Sequence, residues 1–359
     1  MTESPSDNLE KAKRILAENP SIDLHSHLGL WEGKGLTGIG EIGKYIGDDL
    51  IKLLVERMIA SGCKSASVNL TSDVSLLALG QPGNKIRDYE PGEAWDDYLR
   101  QRTILQDFFE TMPLERAESA DDIERIHEAG KLAVFLSVEG GHMVEDDLDL
   151  LTTLRADGIV KFQPIHYVYS TLGDNQTDEE VHGGLTPLGK DAVRMAHDLG
   201  MVVDAAHASL KAAADMAAVT GAPIVLSHTL MKYPSAGKNG ETEFPPRWIS
   251  QEYAKLIAET GGMIGTWAIN KPNGVGSADE FVEVVLAMID SVGIDHVGWA
   301  TDYIHVAMGP WFRDFRDFPA LCAKFLDKGL GEADLVKFVG GNALRIMEAV
   351  GPSAPGATA

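Results

Sequence analysis

Ile22-Asp23-Leu24-His25-Ser26-His27-Leu28 is a short apolar run that closes on two histidines separated by a single residue. On a strand, residues two apart point to the same side, so His25 and His27 share one face. Seven further runs rich in apolar and β-branched residues follow, at 65–70, 132–138, 159–165, 201–206, 223–227, 262–267 and 296–301. Amphipathic stretches with helical spacing lie between them, at 49–61, 120–129, 187–199, 210–220, 251–260 and 278–292. Pro187 stands at a first helical position after Thr186, and Gly200, Gly221 and Gly261 follow helix ends where a left-handed cap is needed. This alternation is the signature of βα units around a parallel sheet, and eight of them predict an α/β fold of the TIM (β/α)8 barrel type. Helices at 318–328 and 332–339 complete the eighth unit.

The chain of 359 residues, 44% hydrophobic and 24% charged, suits one barrel over 1–352 with a short tail, 353–359, expected to be disordered. Segments 70–98 and 167–185 are longer than the minimal repeat and each follows a predicted strand. In a barrel such loops lie on the C-terminal face, where pockets are built. A formal charge of −23 argues against nucleic acid and anionic membrane surfaces as partners. With only Cys63 and Cys322, neither a disulfide framework nor a thiolate zinc site can form, so any metal must be held by histidines and carboxylates. No apolar run of signal-peptide or membrane-spanning length occurs, which makes the cytoplasm the default compartment. Trp311, Phe312 and Phe315 are read as exposed, available for a homo-oligomer contact or for closing the pocket.

The polar residues fall at the strand ends. After His25 and His27, Glu139 closes the third run, His166 the fourth, His207 the fifth, His228 the sixth and Asp302 the eighth, while strand interiors hold almost no ionisable groups. Burying so many polar groups uncompensated costs several kcal/mol each, and divalent cations are the natural compensation. Nitrogen and oxygen donors without thiolates suit Zn²⁺, Mn²⁺, Co²⁺ or Fe²⁺, with zinc the first choice. Lys161, four residues before the end of its run, is read as structural.

These residues resemble the amidohydrolase superfamily and, within it, the membrane (renal-type) dipeptidase family of zinc peptidases. The likeness runs over nearly the whole chain and is carried by 23–27, Val138-Glu139-Gly140-Gly141-His142, 203–209, Ser227-His228-Thr229, 298–302 and Gly340-Gly341-Asn342-Ala343-Leu344-Arg345. It implies two divalent ions, with His25, His27 and Asp302 serving one, His207 and His228 the other, and Glu139 bridging them. It further implies that His166 polarises the substrate oxygen and that Arg247, in Pro245-Pro246-Arg247-Trp248, receives the substrate carboxylate. Three departures stand out: His27 where the family more often has Asp, Tyr303-Ile304-His305 after Asp302, and Leu230-Met231-Lys232 beyond His228.

The expected chemistry is hydrolysis of a dipeptide amide bond by a hydroxide bridging the metals, with Asp302 as the base that passes a proton to the leaving amine. Two rivals share or replace it: a related amidohydrolase acting on N-acyl amino acids, lactones or phosphoesters, and a non-catalytic metal- or ligand-binding barrel.

Overall fold

The computed structural model describes residues 5–28, 48–77, 85–233, 244–269, 274–302 and 310–350. The expected tail at 353–359 and the Tyr303-Ile304-His305 departure lie outside them.

Among the described residues nine strands form in chain order: β1 (Ile22–Ser26), β2 (Ser65–Thr71), β3 (Leu114–Arg116), β4 (Leu132–Glu139), β5 (Ile159–Gln163), β6 (Val202–Val203), β7 (Val225–Thr229), β8 (Met263–Trp267) and β9 (Val297–Ala300). Every pairing between them is parallel. One sheet runs β1-β2-β4-β5-β6 and a second runs β7-β8-β9. A parallel bridge between Asp204 and Val225 joins β6 to β7. At the opposite seam the Asp302 N–H donates to His25 O at 2.8 Å and the Thr301 N–H to Asp23 Oδ1 at 2.9 Å, tying the end of β9 to β1. The predicted eight strands thus close on themselves. The ninth, β3, pairs only with Leu132–Val134 at the start of β4, and β5 takes over that edge from Leu136.

The strands are buried along their whole length except for the end of β3, as expected of a parallel sheet covered by helices. Helices start where the sequence provides caps: the Thr186, Ser209, Ser250 and Ser277 side chains accept from Gly189, Ala212, Tyr253 and Glu280 N–H groups. Trp299, Phe135, Phe162 and Phe281 are among the largest fully buried side chains. Each contributes about 1.5–3 kcal/mol by leaving water.

Three expectations change. Segment 70–98 is not one loop: β2 runs to Thr71, a 3₁₀ turn covers Asp73–Leu76, and the helix Glu93–Thr111 begins inside it. That helix buries Ala94, Tyr98, Gln101, Leu105 and Phe108 at spacings of three and four, and Gln101 clamps the backbone N–H and C=O of Thr71. Phe312 and Phe315 are buried, not exposed, with Phe312 5.3 Å from Trp299, and Trp311 stacks on Phe281 at 5.2 Å. These rings close the outer wall of the barrel because Trp299 and Phe281 leave an apolar face to cover. A final helix, Asn342–Val350, follows a π turn at Lys337–Gly341 and caps the bottom of the barrel. Gly340 is required there, since a Cβ would lie 2.5 Å from Pro20 O. Asn342 donates to Ile294 and Val297 carbonyls and Arg345 to those of Gly261 and Asp295, so the Gly-Gly-Asn-x-x-Arg motif is a barrel plug.

Candidate metal centre

All eight residues singled out in the sequence meet at the C-terminal mouth of the barrel. Glu139, the last residue of β4, is the hub. Its Oε1 lies 3.4 Å from His25 Nε2, 3.3 Å from His207 Nε2, 3.6 Å from His228 Nε2 and 3.4 Å from His166 Nε2. Its Oε2 lies 3.3 Å from His27 Nε2 and accepts from Thr71 Oγ1 at 3.0 Å. Asp302 Oδ1 sits 3.0 Å from His27 Nε2 and 3.7 Å from His25 Nε2. The histidines and Glu139 are buried, and the Asp302 side chain, 16% exposed, is the one that reaches toward the opening.

The chain bends at the strand ends to aim these groups. His207 and Asp302 adopt φ of 65° and 55°, a left-handed conformation uncommon outside glycine. Such backbone persists only where the surroundings hold it, and it collects at functional sites. Gly140 turns the chain after Glu139 at φ 83°, where a Cβ would lie 2.7 Å from His142 Nδ1 and 3.1 Å from His166 Cβ. The Glu-Gly-Gly motif therefore lets His166 approach the hub.

Burial pushes the Glu139 carboxyl up, but the surrounding imidazoles, His166 and His25 foremost, reverse this and hold it well below the usual carboxylate range. Burial also lowers His25, His207 and His228, keeping them neutral, which is the state in which imidazole ligates. His25 Nε2 has no hydrogen-bond partner among the described residues. His207 Nε2 and His228 Nε2 face each other at 3.0 Å, a distance at which only one of the pair can carry a hydrogen. Three sets of donors converge closely enough to hold a cation: His25, His27 and Glu139; His25, His228 and Asp302; and Glu139, His207 and His228. Converging neutral imidazoles around a buried anion fit divalent cations.

Arg247 lies on the same wall, 1% exposed. One terminal nitrogen donates to His228 O and meets His228 Nε2, both at 3.1 Å, and the other donates to Gln176 Oε1. Its Nε has no hydrogen-bond partner, and no carboxylate forms an ion pair with it among the described residues. Trp267 lies beneath the guanidinium at 5.6 Å.

Several neighbours escaped the sequence reading. Asp73 Oδ1 accepts from His166 Nδ1 at 2.5 Å, and its Oδ2 from Val168 N–H at 3.0 Å. Burial lowers His166, but the Asp73 and Glu139 charges overcome this and raise it. Asp73 falls three residues past the second predicted run, beyond the position at which the strand-end rule reads a residue, and only extending that rule into the following turn would find it. Gln176 and Tyr167, in segment 167–185, carried no such signal: one is an uncharged amide and the other resembles core sequence. Tyr167 packs edge-on against the His207 ring at 4.5 Å. Lys161 is buried and pairs with Asp204 at 2.7 Å.

Known dipeptidases and metallopeptidases are similar to this chain in sequence and fold. A sequence profile of membrane dipeptidases, peptidase family M19, matches residues 9–357. The dipeptidase tcpJ of Claviceps purpurea (strain 20.1) is 27% identical over 266 residues, which is 71% of this chain and 60% of that protein. This chain thus spans about three fifths of the length of that curated relative. The probable dipeptidase PvdM from Pseudomonas aeruginosa is similar in fold, with a TM-score of 0.76 at 21% identity over 97% of this chain and 99% of that one. A metallo peptidase from Rhodobacter sphaeroides, liganded with a phosphinate mimic of the dipeptide L-Ala-D-Ala, gives 0.75 at 20% identity over 92% and 99%.

Proposed function

The chain belongs to the membrane dipeptidase family, peptidase family M19, and from that premise we propose that it is a metal-dependent hydrolase that cleaves the amide bond of dipeptides. The observation that carries the reading is the placement of a buried arginine lacking a described carboxylate partner beside a convergent set of metal donors.

His25, His27 and Asp302 are assigned to one cation, His207 and His228 to the other, and Glu139 to both. In support, Glu139 belongs to a donor set with His25 and His27 and to another with His207 and His228. The set of His25, His228 and Asp302 crosses this division, which fits two sites in close proximity. Zinc is the cation proposed first. Divalent cations bound here supply Lewis-acid polarisation and a lowered pKa for water. The protein's own groups do the rest. Asp302 takes a proton from the attacking water and delivers it to the leaving amine. His166 turns Nε2 toward the hub because Asp73 holds Nδ1, so its Nε2–H stabilises the oxygen that becomes negative. Arg247 pairs with the free carboxylate of the substrate, which fixes its length and orientation. The ligand of the Rhodobacter sphaeroides metallo peptidase, a dipeptide mimic, supports this substrate class. Among the described residues no helix is long and apolar enough to cross a membrane. Two buried free thiols suit the reducing cytoplasm proposed as the compartment.

The test is elemental analysis of the purified chain, followed by a substrate panel with the metal restored. Dipeptide cleavage that stops on chelation is expected. Turnover confined to N-acyl amino acids, lactones or phosphoesters would replace the substrate, and absence of tightly held divalent metal would remove the mechanism.

Two substitutions probe the individual roles. Arg247→Ala is expected to raise KM for dipeptides by about 10- to 100-fold, the scale of a lost charge-assisted pair of about 1.5–3 kcal/mol. Steady-state kinetics with an unchanged KM would remove Arg247 as the anchor. Asp73→Asn should lower kcat by about 10- to 100-fold with metal content intact, because the group orienting His166 is altered while every proposed ligand remains. Full turnover in this variant would show that His166 works without Asp73.

A further inference from the structure

We infer that the Ser227 hydroxyl is a brace shared by the two cation sites, accepting the Nδ1 hydrogens of His25 and His228 together while Asp204, charge-paired with Lys161, takes the hydroxyl's own hydrogen. The inference rests on the ligand roles proposed above for those two histidines. Ser227 precedes His228 on β7, is fully buried, and its Oγ lies 3.1 Å from His25 Nδ1 and 3.1 Å from His228 Nδ1.

The allocation of hydrogens follows from valence. A serine hydroxyl has one hydrogen and two lone pairs. An imidazole that presents Nε2 to a cation carries its hydrogen on Nδ1, and a hydrogen bond at Nδ1 fixes that tautomer. Two such rings meeting at one oxygen fill both lone pairs, so the hydrogen of Ser227 must leave by another route. The Asp204 carboxylate is the acceptor that this allocation assigns to it, since Asp204 Oδ1 already accepts from the Ser227 and Ala206 N–H groups at 3.0 Å each. If Ser227 donated to either ring instead, that ring would move its hydrogen to Nε2 and leave the donor set.

Lys161 gives Asp204 the charge this arrangement needs. Both side chains are buried, and Lys161 Nζ donates to Asp204 Oδ2 at 2.7 Å and to Asn69 Oδ1 at 3.1 Å. A carboxyl buried alone tends to be protonated and to become a donor, which would reverse the hydrogen of Ser227. The ammonium of Lys161 keeps it an acceptor. Lys161, read from sequence as merely structural, thereby acts on the metal centre through two intermediaries. Because His25 belongs to the donor set with His27, and His228 to that with His207, one hydroxyl links the two sites.

The test uses the full chain freed of metal by chelation and titrated with Zn²⁺ in a calorimeter, with thermal unfolding of the metal-free form as a check on folding. Ser227→Ala is expected to weaken zinc binding at both sites by about 10- to 100-fold. Ser227→Thr, which keeps the hydroxyl, is expected to restore it. Unchanged affinity at either site in Ser227→Ala, with the metal-free fold intact, overturns the shared brace. A readout that needs no variant is long-range ¹H–¹⁵N spectroscopy of the zinc-loaded parent: hydrogen on Nδ1 of both His25 and His228 supports the inference, and hydrogen on Nε2 of either overturns it. Failure of the parent chain itself to take up two zinc ions would instead sink the two-cation reading on which the inference stands.

Discussion

Glu139→Gln is expected to strip the centre of tightly held metal and with it nearly all hydrolysis. The carboxylate is the one anion that every imidazole at the mouth approaches, His25, His166, His207 and His228 through Oε1 and His27 through Oε2. The substitution changes almost no volume and leaves an amide that can still accept from Thr71 Oγ1, so the barrel should hold its shape. What it removes is the buried negative charge in each of two donor sets. Breaking a buried charge arrangement by removing one partner costs about 3–5 kcal/mol, which corresponds to about 100-fold to a few thousand-fold in affinity. Elemental analysis after dialysis should find less than the parent's metal content, and calorimetry should find weaker uptake of added Zn²⁺. A variant retaining parental affinity would show that Glu139 bridges nothing and that the cations, if bound, depend on the histidines and Asp302.

Such a test can be designed from the sequence because the strand ends were legible there. A His or Glu closing an apolar run is costly unless something compensates it, and that cost stands out against strand interiors with almost no other ionisable group. The same reasoning misses residues whose polarity is already balanced. Ser227 is neutral, Lys161 and Asp204 cancel each other within the barrel, and none of them advertises a role until distances are known. The elements divide in a similar way. Helices at Leu210–Thr220 and Ala278–Val292 begin after a serine cap and end before a glycine, and their bounds are those read from the sequence. The strand β3 escapes the sequence reading because Leu114-Glu115-Arg116 is two-thirds charged and only three residues long. The last helix escapes the sequence reading because Gly340 and Gly341, in the π turn just before it, read as a helix stop, each opposing helix by roughly 1 kcal/mol; Gly340 is there because a Cβ would lie 2.5 Å from Pro20 O. The predicted run 201–206 yields only Val202–Val203 as strand, since the chain must turn early to reach the left-handed conformation of His207.

Asp302→Asn is the sharper test of chemistry, because here the expectation is loss of turnover without loss of metal. Asp302 adopts φ 55°, and asparagine is among the residues that tolerate this region, whereas alanine would add backbone strain to any effect on catalysis. The Asp302 N–H bond to His25 O, which ties β9 to β1, involves only backbone and survives the change. The amide keeps an oxygen where Oδ1 now lies 3.0 Å from His27 Nε2, so one donor atom remains available. It cannot take up and release a proton near neutral pH. If Asp302 moves the proton from the attacking water to the leaving amine, kcat should fall by about 10²- to 10⁴-fold, with KM and metal content close to those of the parent. Loss of metal in step with activity would reduce Asp302 to a ligand. Near-normal kcat would hand the proton transfer to another group, and His166 is poorly placed for it: Asp73 engages its Nδ1, and the same charge favours keeping the hydrogen that Nε2 must offer to the developing oxyanion. The partial exposure of Asp302, alone among the proposed ligands, is what a proton carrier at the mouth of a closed site requires.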